Sequence, residues 1–115
     1  MTAPFAAVLA PLSRQRGVVA SMIVDAHDDI IIEAQTRVGV RASTVAALAA
    51  SLYRRARQAA RAAELGAVRF LRLEAERGHL FAAGRADLVL VLLADPGVNV
   101  GLLRVEMLRA VEALA

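Results

Sequence analysis

No cysteine, lysine or tryptophan occurs in the 115 residues. The first absence excludes disulfides, thiol nucleophiles and cysteine-ligated metals. Aromatic residues make up only 3% of the chain, too few for the platforms on which nucleic-acid bases stack. All 14 basic residues are arginine, interspersed with 11 acidic ones, so the formal charge of +3 comes without a basic block. That leaves no stripe to track a phosphate backbone, and nucleic acid is not an expected partner. Arginine in place of lysine instead suits protein–protein contacts, where its planar fork and weak hydration favour burial. Long apolar runs are also missing. Apolar content is 58% and mean hydropathy +0.54, yet Val18–Val24 and Leu88–Ala94 fall far short of the roughly 20 residues that a membrane helix needs. Phe5–Leu12 has no basic stretch before it and no cleavage pattern after it, so it reads as a helix and not a signal peptide. The expectation is a cytoplasmic chain of one domain, residues 1–115, with no membrane insertion. So apolar a small chain is expected to hide surface by oligomerising.

What is present is an ordered series of periodic segments. Thr2 can cap a first helix with Pro4 in its first turn and Phe5, Val8, Leu9 and Leu12 as its stripe. Pro11 must kink that helix or mark its true start, and Gly17 ends it. Val18–Val24 is nearly unbroken apolar sequence, the mark of a strand buried on both faces. Asp25–Asp29 is a turn, and Ile30–Gln35 the returning strand. A long helix then runs from about Ala42 to Leu65 with Ser43 as its cap. Ala67–Ala75, His79–Ala83 and Asp87–Ala94 follow as a meander of strands. Asn99 caps a last helix whose stripe is Leu103, Met107, Ala110, Val111 and Leu114, with Leu102, Val105 and Leu108 turned toward the first helix.

The long helix organises the rest. Val45, Leu48, Leu52, Ala56, Ala59 and Ala63 recur at the spacing of one face, which the sequence assigns to the sheet. Ala47 and Ala50 fall on the other side, among Arg54, Arg57 and Arg61, where small side chains admit a second backbone closely. The first and fifth strands are the most apolar and belong at the centre of the sheet. A hairpin and a meander joined there give a five-stranded antiparallel sheet in order 2-1-5-4-3. Helices on both faces complete an α+β, three-layer sandwich of order α-β-β-α-β-β-β-α. The third strand is then an edge without proline or lysine to guard it. The surface predicted to join two copies about a two-fold axis is therefore Ala47, Ala50, Arg54, Arg57 and Arg61 with Arg69, Leu71 and Leu73.

Candidate chemistry is sparse. Asp25, Asp28 and Asp29 with His27 could be imagined as a metal or acid–base site, but aspartates in one short turn serve its backbone hydrogen bonds. Glu74, Glu76 and His79 flank another hairpin without a nucleophile, and His79 reads as structural or surface. Gly97–Gly101 before a helix lacks the lysine and hydroxyl of a phosphate loop. The serines have no histidine at suggestive spacing. No cofactor, metal or enzymatic activity is expected. Arg54, Arg55, Arg57 and Arg61 remain as candidates for binding an acidic partner surface.

The stretches RGVVASMIVDAHDDIIIEA, TVAALAASLYRRARQAARAAELGAVRFLRLEAERGHLF and LVLVLLADPGVNVGLLRVEMLRAVEAL resemble, in that order, members of the roadblock/dynein light chain superfamily. The resemblance implies a profilin-like helix–sheet–helix sandwich and homodimers, or paired relatives, joined through the second helix and third strand. It also implies small Ras-like GTPases as partners, with the chain acting as an activator or platform of the MglB-like type. The alternative is a structural adaptor that dimerises or tethers a motor, polarity or sensory complex without changing nucleotide turnover. A more distant reading is a small-ligand sensor. Members of the superfamily often carry glycine in the first hairpin where this chain has Asp29.

Overall fold

The computed structural model describes residues 5–114, so the cap at Thr2 and the first-turn Pro4 lie outside the described residues. Eight elements follow one another: α1 (Phe5–Ser13), β1 (Val18–Asp25), β2 (Ile31–Thr36), α2 (Ala42–Ala62), β3 (Leu71–Ala75), β4 (Gly78–Arg85), β5 (Leu88–Ala94) and α3 (Val100–Glu112). The strands form one antiparallel sheet in the predicted order β2-β1-β5-β4-β3. Strand alternation sends Ile23, Phe81, Leu90 and Leu92 to the face covered by α1 and α3. Met22, Val24, Val89 and Val91 go to the face covered by α2. The two central strands are thus buried on both faces, which is why they read as continuous apolar sequence. Among the described residues no helix is long and apolar enough to cross a membrane.

Polar contacts fix α1 on this frame. Ser21, fully buried in β1, shares a 2.6 Å hydrogen bond with Ser13 Oγ, and Ser13 donates to Gln35 Oε1 at 2.7 Å. Gln35 Nε2 in turn donates to Ala6 O. One chain of bonds therefore ties α1 to both β1 and β2, and no polar atom of it is orphaned. Pro11 lies inside α1 but only two residues before its end, where the missing N–H removes a single intrahelical bond.

Three local expectations are corrected. Ser43 does not cap α2. Val45 N already bonds to Arg41 O, so the helix starts ahead of Ser43, with Arg41 at the cap position and no side-chain capping bond. The third strand is shorter than its alternation suggests: its ladder with β4 begins at the pair Leu71–Ala82, although β4 itself runs on to Arg85. Residues 67–70, Arg69 included, have no ladder. Leu102 and Val105 face solvent rather than α1; Leu103 and Met107 are the buried positions of α3, as predicted, and Asn99 Oδ1 accepts from Leu102 N at 3.0 Å.

Candidate functional site

The face that matters is set by how α2 sits on the sheet. Ala46, Ala49, Ala50 and Tyr53, at helical spacings of three, four and seven, are its buried stripe. The three alanines let the helix axis approach the sheet, and Tyr53 fixes its tilt. The tyrosine ring lies over Gly84 of β4, where an added Cβ would be 2.7 Å from the phenol oxygen and 2.9 Å from two ring carbons. Its hydroxyl donates to Val68 O at 3.1 Å. Burial raises the Tyr53 pKa above the ordinary 10.0, against a smaller lowering by a backbone hydrogen bond at Gly84 and by Arg57.

This seating reverses part of the sequence reading. Ala50 is 0% exposed and packs against its own sheet, so its side chain is not at the outer surface. Leu48, assigned to the sheet, is instead 65% exposed. Leu48, Ser51, Leu52 and Arg55 form the outward stripe, at the same spacings as the buried one. Sequence reasoning missed Leu48 because apolar residues occur on every side of α2. The signal that could have found it is Tyr53, a large ring whose period picks out the alanine stripe.

The sheet edges differ in a way that sharpens the surface. β2 carries a register shift opposite Ile23 and Val24, and Gln35 is bound back to α1. Bulged and tethered edges resist further strand pairing. β3 pairs in regular register from Leu71 to Ala75 and has no such device. Its two charged side chains, Arg72 and Glu74, pair with each other. Leu71 is partly buried under α2, while Leu73, on the same face, is 48% exposed. An exposed leucine on the outward side of α2 and a regular strand edge are thus both left open on the molecule.

The arginines have separate roles. Arg54 Nη1 donates to Ala26 O and Asp29 Oδ1, each at 2.6 Å, and so clamps the β1–β2 turn to α2. Asp29 has φ 57°, a conformation that costs any residue but glycine, and its bond to Arg54 holds it there. Arg57 lies 5.8 Å from the Tyr53 ring centre. Arg55, Arg61 and Arg69 are exposed, and Ala47 is half-buried.

The acidic turn uses its carboxylates for hydrogen bonds within the chain. Asp25 Oδ1 accepts from His27 N at 2.8 Å and Asp28 N at 3.1 Å. These bonds, His27 first, hold the Asp25 carboxyl below its ordinary 3.8. His27 Nε2 meets Asp87 Oδ1 at 2.9 Å. Among the described residues no three His, Cys, Asp or Glu side chains are grouped to hold a metal ion. His79 is buried, stacked on Phe81 with ring centres 5.5 Å apart. Its Nε2 lies 3.1 Å from Pro96 O; since a carbonyl only accepts, that nitrogen carries the proton. A cleft of about 630 Å³, lined by Arg16, Arg37, Asp95 and Asn99 together with Val98, Leu102 and Leu103, opens between the α1–β1 connector and the start of α3.

Comparison with known proteins agrees with this architecture. A family-wide sequence model described as Roadblock/LC7 domain matches residues 5–94, from the start of α1 to the end of β5. The uncharacterized protein MJ1340 of Methanocaldococcus jannaschii is 32% identical over 107 residues, covering 93% of this chain and 93% of its own. A Roadblock/LC7 domain from Streptomyces avermitilis superposes with a TM-score of 0.80 at 23% identity, over 94% of this chain and 88% of that one. The gliding protein MglB from Thermus thermophilus does so with a TM-score of 0.83 at 21% identity, over 96% and 84%. At those identities the solved structures speak for the fold. The match along α1 to β5, with a relative above 30% identity over nearly the whole length, makes this chain a member of the Roadblock/LC7 domain family.

Proposed function

We propose that two copies of this chain join through α2 and the β3 edge, and that the dimer regulates, or serves as a platform for, a small Ras-like GTPase in the cytoplasm. It acts by binding, without catalysis or a cofactor of its own. The observation that carries the dimer is the coincidence of an exposed Leu48, with half-buried Leu52 beside it on the outward side of α2, and a regular, unguarded edge at Leu73. Edge pairing would satisfy the open backbone groups of β3, while the helices bury their outward leucines. The interface so defined contains Ala47, Leu48, Leu52, Leu71 and Leu73, with Arg55 and Arg69 at its margin; Ala50 and Arg54 are engaged within the subunit. MglB, which shares the fold, is found in a tetrameric arrangement, and this supports association as a use of the architecture. Family membership supports the GTPase, since that is the partner the sequence resemblance implies.

Light scattering at micromolar concentration tests the dimer, and a monomer there refutes it. Affinity capture from native lysate, run with a non-hydrolysable GTP analogue and separately with GDP, tests the partner. Recovery of a Ras-like GTPase only with the analogue supports a regulator. The same non-GTPase partners in both conditions would replace it with the adaptor.

A further inference from the structure

The C-terminal half of α2 carries Arg54, Arg55, Arg57 and Arg61, and the whole helix, Ala42–Ala62, has no acidic residue. Arg54 is neutralised by Asp29. Among the described residues Arg57 and Arg61 form no ion pair. Both line a cleft of about 440 Å³, together with Glu64, Gly66, Ala67 and Val68 of the connector to β3. The Tyr53 ring under Arg57 restrains one of the two guanidinium groups, so less rotamer freedom is lost when it binds. Leu65, between the lining residues Glu64 and Gly66, is exposed.

We propose that this cleft binds carboxylate side chains of an acidic, partly apolar segment of a protein partner. Two guanidinium forks at one cleft suit paired carboxylates, and Leu65 gives an apolar neighbour a place to rest. A nucleic-acid strand is the poorer fit. The cleft is a single pocket rather than a track, and the one aromatic ring of α2, Tyr53, is buried. Glu64 opposes the ligand, because it places a negative charge on the cleft wall. For its biological use the proposal rests on the partner-platform reading, but its test requires no GTPase.

The test is fluorescence anisotropy of a labelled hexaglutamate peptide titrated with the full chain. An exposed charge contact changes affinity by roughly twofold to fivefold, so R57Q/R61Q should weaken binding about tenfold. By the same figure E64Q should tighten it about twofold to fivefold, a gain that no unfolded variant could give. Arg14→Gln, on the α1–β1 connector, should leave binding within about twofold. The affinity should fall as salt is raised. The proposal is overturned if the peptide does not bind, if neither R57Q/R61Q nor E64Q shifts the affinity, or if an oligothymidylate of equal charge displaces the peptide more effectively than unlabelled hexaglutamate does. Peptide binding without a captured GTPase keeps the cleft and removes the GTPase reading; a captured GTPase without peptide binding does the reverse.

Discussion

The seat of α2 can be tested at one atom. Gly84 has no positive φ, so alanine could adopt its backbone without strain, and glycine is required there for space alone. In Gly84→Ala the new methyl would stand 2.7 Å from Tyr53 Oη and 2.9 Å from two ring carbons. The ring is packed against the sheet and has no flexible end to swing away. Overpacking of this kind costs about 1–3 kcal/mol, and displacing the hydroxyl from Val68 O adds about 1 kcal/mol. Against this stands a gain of ~0.5–1 kcal/mol from removing glycine's unfolded-state entropy. A net loss of about 2 kcal/mol follows from those figures, or roughly 10 °C in Tm for a chain of this size. Urea and thermal denaturation followed by circular dichroism at fixed protein concentration would measure it, since a dimer's stability depends on concentration. The control is Tyr53→Leu, which removes the ring. In that background Gly84→Ala should be neutral or stabilising, giving a coupling of about 2 kcal/mol between two touching sites. If Gly84→Ala melts within ~0.5 kcal/mol of wild type, or costs the same with leucine at position 53, the steric account of the α2 seat is wrong.

Three further outcomes follow from named contacts. Arg54→Met should loosen the β1–β2 turn and cost about 1 kcal/mol, discounted because both partners are partly exposed; the urea midpoint measures it, and Asp29→Gly should recover much of the loss by relieving the positive φ. Leu48→Asp with Leu73→Asp should give a folded monomer by light scattering, with an unchanged circular dichroism spectrum; a dimer that persists would place the interface elsewhere. Asp25 has its folded pKa depressed below 3.8, so its contribution is complete above that value and is lost as the pH falls through the folded one. The gap in urea midpoint between wild type and Asp25→Asn should therefore close on acidification from neutral pH through and below 3.8. The raised Tyr53 runs the other way, present below 10.0 and lost as pH climbs past it.

Much of the architecture was legible in the residues. The unbroken apolar runs in β1 and β5 mark them as central, and with a hairpin on one side and a meander on the other, a single strand order follows. The cap at Asn99 and the stripe of α3 are equally local, because a capping side chain and a helical period act within a few residues. The candidate surface was legible only in part. Leu71 and Leu73 do lie on the edge strand β3, Leu73 exposed and Leu71 partly buried under α2, while Leu48 was placed on the wrong side of α2 and Ala50 on the wrong side in exchange.

The sequence by itself determined which segments form helices and strands, the order of the strands, and the existence of a helix apolar on more than one side. Those properties depend on local propensity and on how much of each segment must be buried. The tertiary structure decided which side of α2 faces the sheet, since hydrophobic period is the same for both stripes; the seating of Tyr53 over Gly84 and the burial of Ala46, Ala49 and Ala50 distinguish them. It alone started β3 at Leu71: β4 runs on to Arg85, but residues 67–70 leave the ladder, and Val68 O accepts from the Tyr53 hydroxyl instead. It alone also separated Arg54, which holds a turn, from Arg57 and Arg61, which face a cleft. Identical side chains a turn apart on one helix acquire different roles from what the rest of the chain brings beside them.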